Sequence, residues 1–124
     1  MSQPDLTKIA LSVGEPAGIG PDIACMLAKN TTCAKDILFI TDPNIIIQRA
    51  KKLNLEIPHI IETDYISNNY TKKNTLHIFP IKYKYPTKIG TPNPDNAETL
   101  LHGLDIAIKL CLTNKMNAMT TGPI

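Results

Sequence analysis

Two short apolar runs in the first half of the chain are each followed by apolar residues at helical spacing. Ile9–Val13 contains β-branched residues and suits a buried strand, and Ile37–Thr41 is apolar without alternation, as in a strand covered on both faces. Helices are expected from about Pro21 to Lys29 and from near Pro43. Two strand–helix units with short connections predict a parallel sheet with right-handed crossovers.

Local residue types indicate where these helices begin and which faces they bury. Pro21 fits a first helical turn, where its missing N–H costs nothing, and Asp42 before Pro43 is a good N-cap. A polar loop is expected at Asn30–Lys35. The expected apolar positions are Ile23, Met26 and Leu27 in the first helix and Ile46, Ile47, Ala50 and Leu53 in the second.

The middle of the chain gives weaker strand signals. His59–Glu62 is a short strand candidate, Asp64–Asn74 predicts a surface loop, and Thr75–Ile81 alternates like a half-buried strand. Lysine and tyrosine alternate over Lys82–Pro86, a pattern also found where proteins bind single-stranded nucleic acid. Because the chain has no other basic cluster, an exposed edge strand protected by its lysines is favoured instead.

The last third predicts one long helix and one short strand. After a Gly/Pro connector at Thr87–Asn93, the helix is expected to open at Pro94 or Asp95, and Asp95 with Glu98 resembles a capping box. The final strand is expected at Asn117–Thr121, with its edge and apolar face exposed. The predicted apolar stripe of the helix consists of Ala97, Leu100, Leu101, Leu104, Ile108 and Cys111.

Composition and charge narrow the class of protein. With 124 residues, 43% of them apolar, and no Trp, the chain fits one modest α/β domain. A net charge of +2 is too small to indicate a nucleic-acid or membrane partner, and no apolar run approaches the length of a membrane span. Three cysteines without C-x-x-C spacing, and a start without a signal-peptide pattern, predict reduced thiols in a cytoplasmic protein.

The loop from Gly14 to Gly20 is the strongest candidate for chemistry. Three glycines and Pro16 stand between the first strand and the first helix, so the loop can offer backbone N–H groups to a phosphate or carboxylate. The glycine order differs from the G-x-G-x-x-G of dinucleotide sites. From the residues alone, the loop is either an anion site or a tight turn. Asp42 could imitate a ribose-binding acid, but the following Pro43 favours the capping interpretation.

Both ends of the chain resemble one enzyme family. Residues 14–22, GEPAGIGPD, resemble the N-terminal signature of 4-hydroxythreonine-4-phosphate dehydrogenase, an NAD-dependent enzyme of vitamin B6 biosynthesis. Gly90-Thr91-Pro92 with Asn96-Ala97 is similar to the family's entry to a helix, and Thr121–Ile124 is similar to its T-G-P-I-N-K segment. The resemblance implies the N-terminal part of an isocitrate/isopropylmalate dehydrogenase-like three-layer α/β fold with a mainly parallel sheet, truncated, so that residues 1–124 form a single incomplete unit.

The resemblance carries over only a few site residues. Glu15, the one ionisable side chain in the loop, either orients a polar group in the cleft or accepts hydrogen bonds from the loop's own backbone. Thr120 belongs to the second candidate rim of the cleft. The residues expected by resemblance to line the cleft and contact a cofactor are Gly14, Glu15, Pro16, Gly18, Gly20, Thr121 and Gly122.

The resemblance also implies partners that the residues themselves do not assign. These are NAD, a divalent metal such as Zn, Mg or Co, a phosphorylated small-molecule substrate, and a homodimer or a complementary fragment. His59, His77 and His102 stand isolated on different predicted elements, so we assign no metal ligand and no catalytic residue. We therefore expect this chain alone to bind neither cofactor productively.

Several functions remain open from the sequence. The first is oxidation of 4-phosphooxy-threonine to 2-amino-3-oxo-4-phosphooxybutanoate with NAD, by a protein of which this chain is an inactive piece. The second is a non-catalytic remnant or split half that works only with a complementary chain. The third is a paralogue acting on another phosphorylated hydroxy acid. A free-standing anion-binding module, using the Gly14–Gly20 loop, is the remaining alternative.

Overall fold

A five-stranded parallel sheet forms the centre of the molecule in a computed structural model, which describes residues 7–66 and 72–123. The strands run in the order β3-β4-β2-β1-β5, and every pairing is parallel. The parallel sheet predicted from the sequence is therefore confirmed. In chain order the strands are β1 (Ile9–Ser12), β2 (Ile37–Thr41), β3 (His59–Glu62), β4 (Thr75–Pro80) and β5 (Ala118–Thr121).

Helices cover both faces of this sheet. Helix α4 packs against β1, β2 and β5, whereas α1 and α3 pack against each other over the opposite face. Within the described residues, none of the helices is long and apolar enough to cross a membrane. The helices are α1 (Gly20–Ala28), α2 (Thr31–Ala34), α3 (Pro43–Lys52) and α4 (Ala97–Leu112), and a 3-10 turn at Pro94–Asn96 precedes α4.

The central strand β2 contributes side chains to both hydrophobic cores of the resulting three-layer fold. Leu38 and Ile40 enter the core beneath α4, while Phe39 enters the core beneath α1 and α3 beside Ile46. All four side chains are essentially inaccessible to solvent. Burial of each contributes roughly 1.5–3 kcal/mol to folding. An apolar strand without alternation thus requires helices on both sides, as the sequence predicted.

The segment Asn30–Lys35, expected to be a polar loop, contains helix α2 instead. The side-chain oxygen of Asn30 accepts a hydrogen bond from the backbone N–H of Cys33 at 3.3 Å, which makes Asn30 the N-cap. Asparagine is among the strongest N-cap residues. The polar composition that suggested a loop therefore reflects a short, capped surface helix.

The N-cap of α3 is confirmed, but its buried face is shifted. Asp42 accepts a hydrogen bond from the N–H of Asn44 at 2.9 Å. Leu53, expected on the inner stripe, is exposed, and Ile47 is half-buried. The buried residues of the helix are Ile45, Ile46, Arg49 and Ala50.

Helix α1 buries small residues and exposes large ones. Ala24, Cys25 and Ala28 are buried, whereas Ile23 and Met26, expected among the apolar positions, are exposed, Met26 to 65%. Close approach between layers favours small side chains at the contact. The predicted extent of the helix is confirmed to within one residue, and Leu27 packs against the core as expected, but the predictions for Ile23 and Met26 are wrong.

Helix α4 shows the same preference for small residues. Leu100, Gly103, Ala107 and Leu110 face the sheet. A Cβ added to Gly103 would lie 3.2 Å from the Cδ1 atom of Ile81, so this contact depends on a small residue. Of the predicted stripe, Leu100 is buried and Cys111 packs against the core, but Leu101 and Ile108 are exposed, so the prediction is wrong for those two residues.

The start of α4 also differs from the predicted capping box at Asp95. The side-chain oxygen of Asn93 accepts a hydrogen bond from the backbone N–H of Asp95 at 2.9 Å and caps the 3-10 turn. Asp95 therefore lies inside the first turn, where its negative charge interacts favourably with the positive end of the helix dipole. The predicted pair of Asp105 and Lys109 forms as expected, at 3.0 Å.

Residues 82–86 do not form the expected edge strand, because β3 and β5 are the edges of the sheet. Tyr83 is buried and its hydroxyl donates to the carbonyl of Gly14 at 3.4 Å. Its backbone N–H donates to Asp42 at 3.1 Å. The segment thus crosses the carboxyl ends of β2 and β1 with one tyrosine turned inward.

Two predictions around β4 have different outcomes. The alternation expected over Thr75–Ile81 is wrong, since the first four residues of β4 are all buried. Of the surface loop predicted at Asp64–Asn74, residues 67–71 lie outside the described residues. The flanking parts, 64–66 and 72–74, contain neither helix nor strand.

Candidate functional site

The glycine-rich loop begins where β1 ends and is held against the carboxyl end of β5. Gly14 has a φ of +92°, a conformation that favours glycine, and a Cβ there would lie 2.4 Å from the carbonyl oxygen of Pro123. The N–H of Glu15 donates to that same oxygen at 3.1 Å. The two segments that the sequence proposed as separate rims are therefore in direct contact.

Two further glycines enclose the end of β1 from both sides. A Cβ on Gly20 would lie 1.9 Å from the carbonyl oxygen of Val13, and one on Gly122 would lie 2.1 Å from it. The N–H of Gly122 donates to the carbonyl of Ser12 at 2.7 Å. Only glycine permits backbone contacts this close. Three of the seven predicted site residues are thus required by packing between β1, α1 and β5.

This contact lies at the point where the strand order reverses. From β1 the chain moves to β2 on one side, and β5 returns to pair with β1 on the other side. In open parallel sheets, ligands bind in the crevice outside the carboxyl ends of the strands at such a switch point. The residues selected from the sequence therefore lie where the topology itself favours a site.

Glu15 is half-buried and bonds the loop's own backbone. Its carboxylate accepts a hydrogen bond from the N–H of Ala17 at 3.2 Å. Of the two interpretations open from the sequence, this contact is the one expected for a residue that holds the loop. The orienting role of Glu15 in a cleft stays a prediction, because the other carboxylate oxygen is compatible with it.

The remaining predicted residues divide between the loop and β5. Thr120 and Thr121 are exposed on β5, paired with Leu11 and Ser12 of β1. Pro16 and Gly18 present their backbone carbonyls to the side chain of a residue from α3. Their contribution to the site is therefore through the shape of the loop.

That residue is Arg49, a position that no motif in the sequence marked. Its guanidinium donates to the carbonyl of Gly18 at 2.7 Å and to the carbonyl of Pro16 at 2.8 Å, and it forms an ion pair with Asp22. The Arg49 side chain is only 4% exposed. One buried cation therefore fixes both the glycine-rich loop and the first turn of α1.

A second unselected residue, Tyr83, closes the other side of the loop. Burial, with a smaller contribution from the charges of Glu15 and Asp42, raises the pKa of the Tyr83 hydroxyl well above its ordinary value. The hydroxyl therefore stays protonated and serves as a donor to Gly14. Both oxygens of the Asp42 carboxylate accept backbone N–H groups, and the capping interpretation is confirmed.

The residues described do not assemble a metal site. No group of three or more His, Cys, Asp or Glu side chains close enough to hold an ion occurs in residues 7–66 and 72–123. His59, His77 and His102 lie on β3, β4 and α4. Burial, and more weakly the charge of Lys8, lowers the pKa of His77. The donor set of this part of the chain thus does not fit the divalent metal that the resemblance implies.

A family model matches most of the chain. A family model described as "Pyridoxal phosphate biosynthetic protein PdxA" matches residues 33–124. The chain belongs to this family. The match begins after the glycine-rich loop, but curated relatives align across that loop as well.

Two curated relatives carry the same name. The 4-hydroxythreonine-4-phosphate dehydrogenase of Xanthomonas campestris pv. campestris strain B100 is 34% identical over 117 residues, which cover 94% of this chain and 35% of the relative. The enzyme of that name from Saccharophagus degradans is 37% identical over 128 aligned positions, covering the whole chain and 36% of the relative. The chain thus spans about a third of the length of these PdxA relatives.

Solved structures agree on the fold. A 4-hydroxythreonine-4-phosphate dehydrogenase from Klebsiella pneumoniae superposes with a TM-score of 0.80 at 21% identity, covering 94% of this chain and 37% of that one. A structure of that name from Burkholderia phymatum gives a TM-score of 0.81 at 17% identity, covering 95% and 36%. The predicted truncated three-layer α/β fold is therefore confirmed.

Proposed function

We propose that this chain forms the N-terminal third of a 4-hydroxythreonine-4-phosphate dehydrogenase and supplies one rim of its cleft. The observation that carries the proposal is the contact of the glycine-rich loop with the Gly122–Pro123 turn at the switch point of the sheet. In this proposal residues 1–124 are a single incomplete α/β unit of a longer fold. The names of the PdxA relatives support the substrate class.

The proposed reaction divides between this rim and other parts of the fold. Oxidation of the substrate's alcohol needs an acceptor for the hydride, which NAD would supply, and a group that takes the proton. The N–H groups of Glu15, Ala17 and Gly18 are already donated within the loop and to Pro123, so the remaining backbone N–H groups between Gly14 and Gly20 would bind and orient an anionic group. Because the described residues hold no cluster of metal ligands, the metal would be bound elsewhere in the fold, and this chain alone should not oxidise the substrate.

Complementation tests the proposal. The pure chain would be assayed for NAD reduction with 4-hydroxythreonine 4-phosphate, alone and mixed with the part of the Xanthomonas campestris relative that lies beyond the aligned third. We expect no activity from either piece and metal-dependent activity from the mixture. NAD reduction by this chain alone would contradict the proposal that the reaction needs groups from other parts of the fold. An inactive mixture that forms a complex would favour the hypothesis that the chain is a non-catalytic remnant.

The variant Glu15→Gln separates the two roles of this carboxylate. If Glu15 orients a group in the cleft, the complemented mixture should lose about tenfold in kcat/KM with little change in thermal stability. If it only holds the loop through Ala17, the amide oxygen of the glutamine still accepts that N–H, so both the activity and the melting temperature should stay nearly unchanged.

A second candidate function is association with another polypeptide, favoured by an apolar surface on the outer face of α4. Leu101, Ile108 and Leu112 are 59%, 39% and 77% exposed, and the neighbouring strand β5 is a sheet edge. Such surfaces mark interaction sites in soluble folds. Sedimentation velocity of the pure chain tests it, because a monodisperse monomer at about 100 μM, roughly 100-fold above a Kd of 1 μM, would count against association.

A further inference from the structure

A groove lies between helix α3 and the connector that precedes α4. Its α3 wall is formed by Ile45, Gln48 and Lys52, which share one face of the helix, and its other wall by Thr87, Lys88 and Ile89. The volume is about 600 Å³. That lies within the roughly 300–1,000 Å³ of small-molecule sites in proteins.

The groove carries uncompensated positive charge. Lys52 and Lys88 both line it, and neither forms an ion pair within the described residues, whereas Lys8, Lys35 and Lys109 each do. The described lining contains no Asp or Glu. Arg49, at the base of the groove, is already paired with Asp22. The free charge therefore comes from the two lysines.

A buried hydroxyl in the same wall has no partner. The Oγ1 atom of Thr87 is inaccessible to solvent and makes no hydrogen bond with the described residues. Buried polar atoms are nearly always satisfied, so this exception calls for an explanation. Because the hydroxyl is closed to solvent, the Thr87 side chain has to rotate toward the groove before it can join the two lysines in donating to the oxygens of an anion.

Part of the remaining lining is apolar. Ile89, which is 49% exposed beside Lys88, provides most of this hydrophobic surface, since Ile45 is only 8% exposed. We propose that this groove binds a phosphate monoester with a flat apolar body, with its phosphate held by Lys52, Lys88 and Thr87. A bare inorganic anion would leave Ile89 uncovered, and a neutral ring would leave the lysines unpaired.

The proposed site is distinct from the rim at the switch point but mechanically joined to it. None of the groove's lining residues belongs to the Gly14–Gly20 loop or to β5. Two contacts connect them: Arg49 bonds the loop carbonyls, and the N–H of Gly90 donates to the carbonyl of Ala17 at 2.8 Å. The proposal does not depend on the dehydrogenase function.

Titration calorimetry with phenyl phosphate tests the site, with inorganic phosphate and phenol as comparisons. We expect phenyl phosphate to bind at least about tenfold more tightly than either comparison, since it alone satisfies both parts of the groove. Lys52→Gln and Lys88→Gln should each weaken binding by about tenfold. Lys51→Gln is the matched control, because it removes the same charge from the next position of α3, outside the groove. It should change the Kd by less than about twofold.

Thr87→Val distinguishes a ligand-binding hydroxyl from an incidental one. The substitution keeps the shape of the side chain but removes the unsatisfied group, so the free protein should become no less stable while phenyl phosphate binds several-fold more weakly. The proposal is overturned if phenyl phosphate does not bind, if inorganic phosphate binds equally well, or if Lys51→Gln weakens binding as much as Lys52→Gln.

Discussion

Replacement of Arg49 by methionine should be among the most destabilising substitutions in this chain. Methionine keeps the aliphatic volume but removes all three guanidinium contacts. The carbonyls of Pro16 and Gly18 would then lose their charged donor, and Asp22 would lose its partner. Because a buried acceptor without a donor costs its full desolvation free energy, the loss exceeds that of an exposed ion pair.

The magnitude follows from the burial of each contact. Hydrogen bonds from a charged donor contribute roughly 1.5–3 kcal/mol each, and contacts made by one group are not additive. Asp22 is 33% exposed, so water replaces part of its interaction. We expect Arg49→Met to lower the free energy of unfolding by about 3–5 kcal/mol, the range for removing one partner of a buried pair. Arg49→Lys keeps the charge but lacks the planar fork, and should cost about 2 kcal/mol.

Urea denaturation followed by circular dichroism measures these differences. Lys51→Met is the control, since Lys51 is exposed on the same helix and its replacement should change stability by less than about 0.5 kcal/mol. A double-mutant cycle with Asp22→Asn isolates the share of the ion pair. If Arg49→Met lies within about 1 kcal/mol of the Lys51→Met control, the guanidinium does not hold the loop and the reasoning is wrong.

Three further predictions concern the loop, the cap and the pH dependence. Gly20→Ala should cost about 2 kcal/mol or more because its Cβ meets the Val13 carbonyl, whereas Gly90→Ala, with φ +83° and open space, should cost about 1 kcal/mol; equal unfolding midpoints would contradict this. Asp42→Ala removes the acceptor of both Asn44 and Tyr83 and should cost about 2 kcal/mol, and Asp42→Asn clearly less, by the same denaturation assay. Because the pKa of His77 is lowered in the folded protein, its contribution to stability is complete above about pH 6.5 and is lost as the pH falls. His77→Gln should therefore flatten the plot of unfolding free energy against pH below that value, and parallel plots for the two proteins would refute this prediction.

The strands and the glycine-rich turn could be predicted from the sequence, but the buried faces of the helices could not. A strand such as β2 can be recognised from its own apolar run. The glycines of the loop can be recognised because the sharp turn leaves no room for a side chain. Helix faces depend on how closely two layers approach. Where α1 and α4 approach their neighbouring layers, the small residues Ala24, Gly103 and Ala107 are buried, while several larger apolar residues of these helices face outward. Periodicity weighted by hydrophobicity therefore indicates the wrong side.

The burial of Arg49 was not predicted, because the residues next to it in the sequence are typical of an exposed helix face. It stands beside Lys51 and Lys52, a pattern typical of a solvated helix face. Its position three residues after Ile46 and one before Ala50 placed it on the buried stripe, and that was the available signal. A charged residue on such a stripe has to find partners, but which ones depends on tertiary contacts with the loop.

The composition of the rim explains why a sequence so rich in family motifs predicts so little catalysis. At the switch point the chain presents Gly14, Gly20 and Gly122, whose role is to let three backbones meet without side chains. Glu15, the one carboxylate in the loop, already accepts the N–H of Ala17. A surface made of backbone can bind and orient an anion, but it cannot exchange protons with a substrate. The described part of the chain is therefore suited to shaping a cleft, and acid–base groups for the proposed reaction would have to face this rim from other parts of the fold.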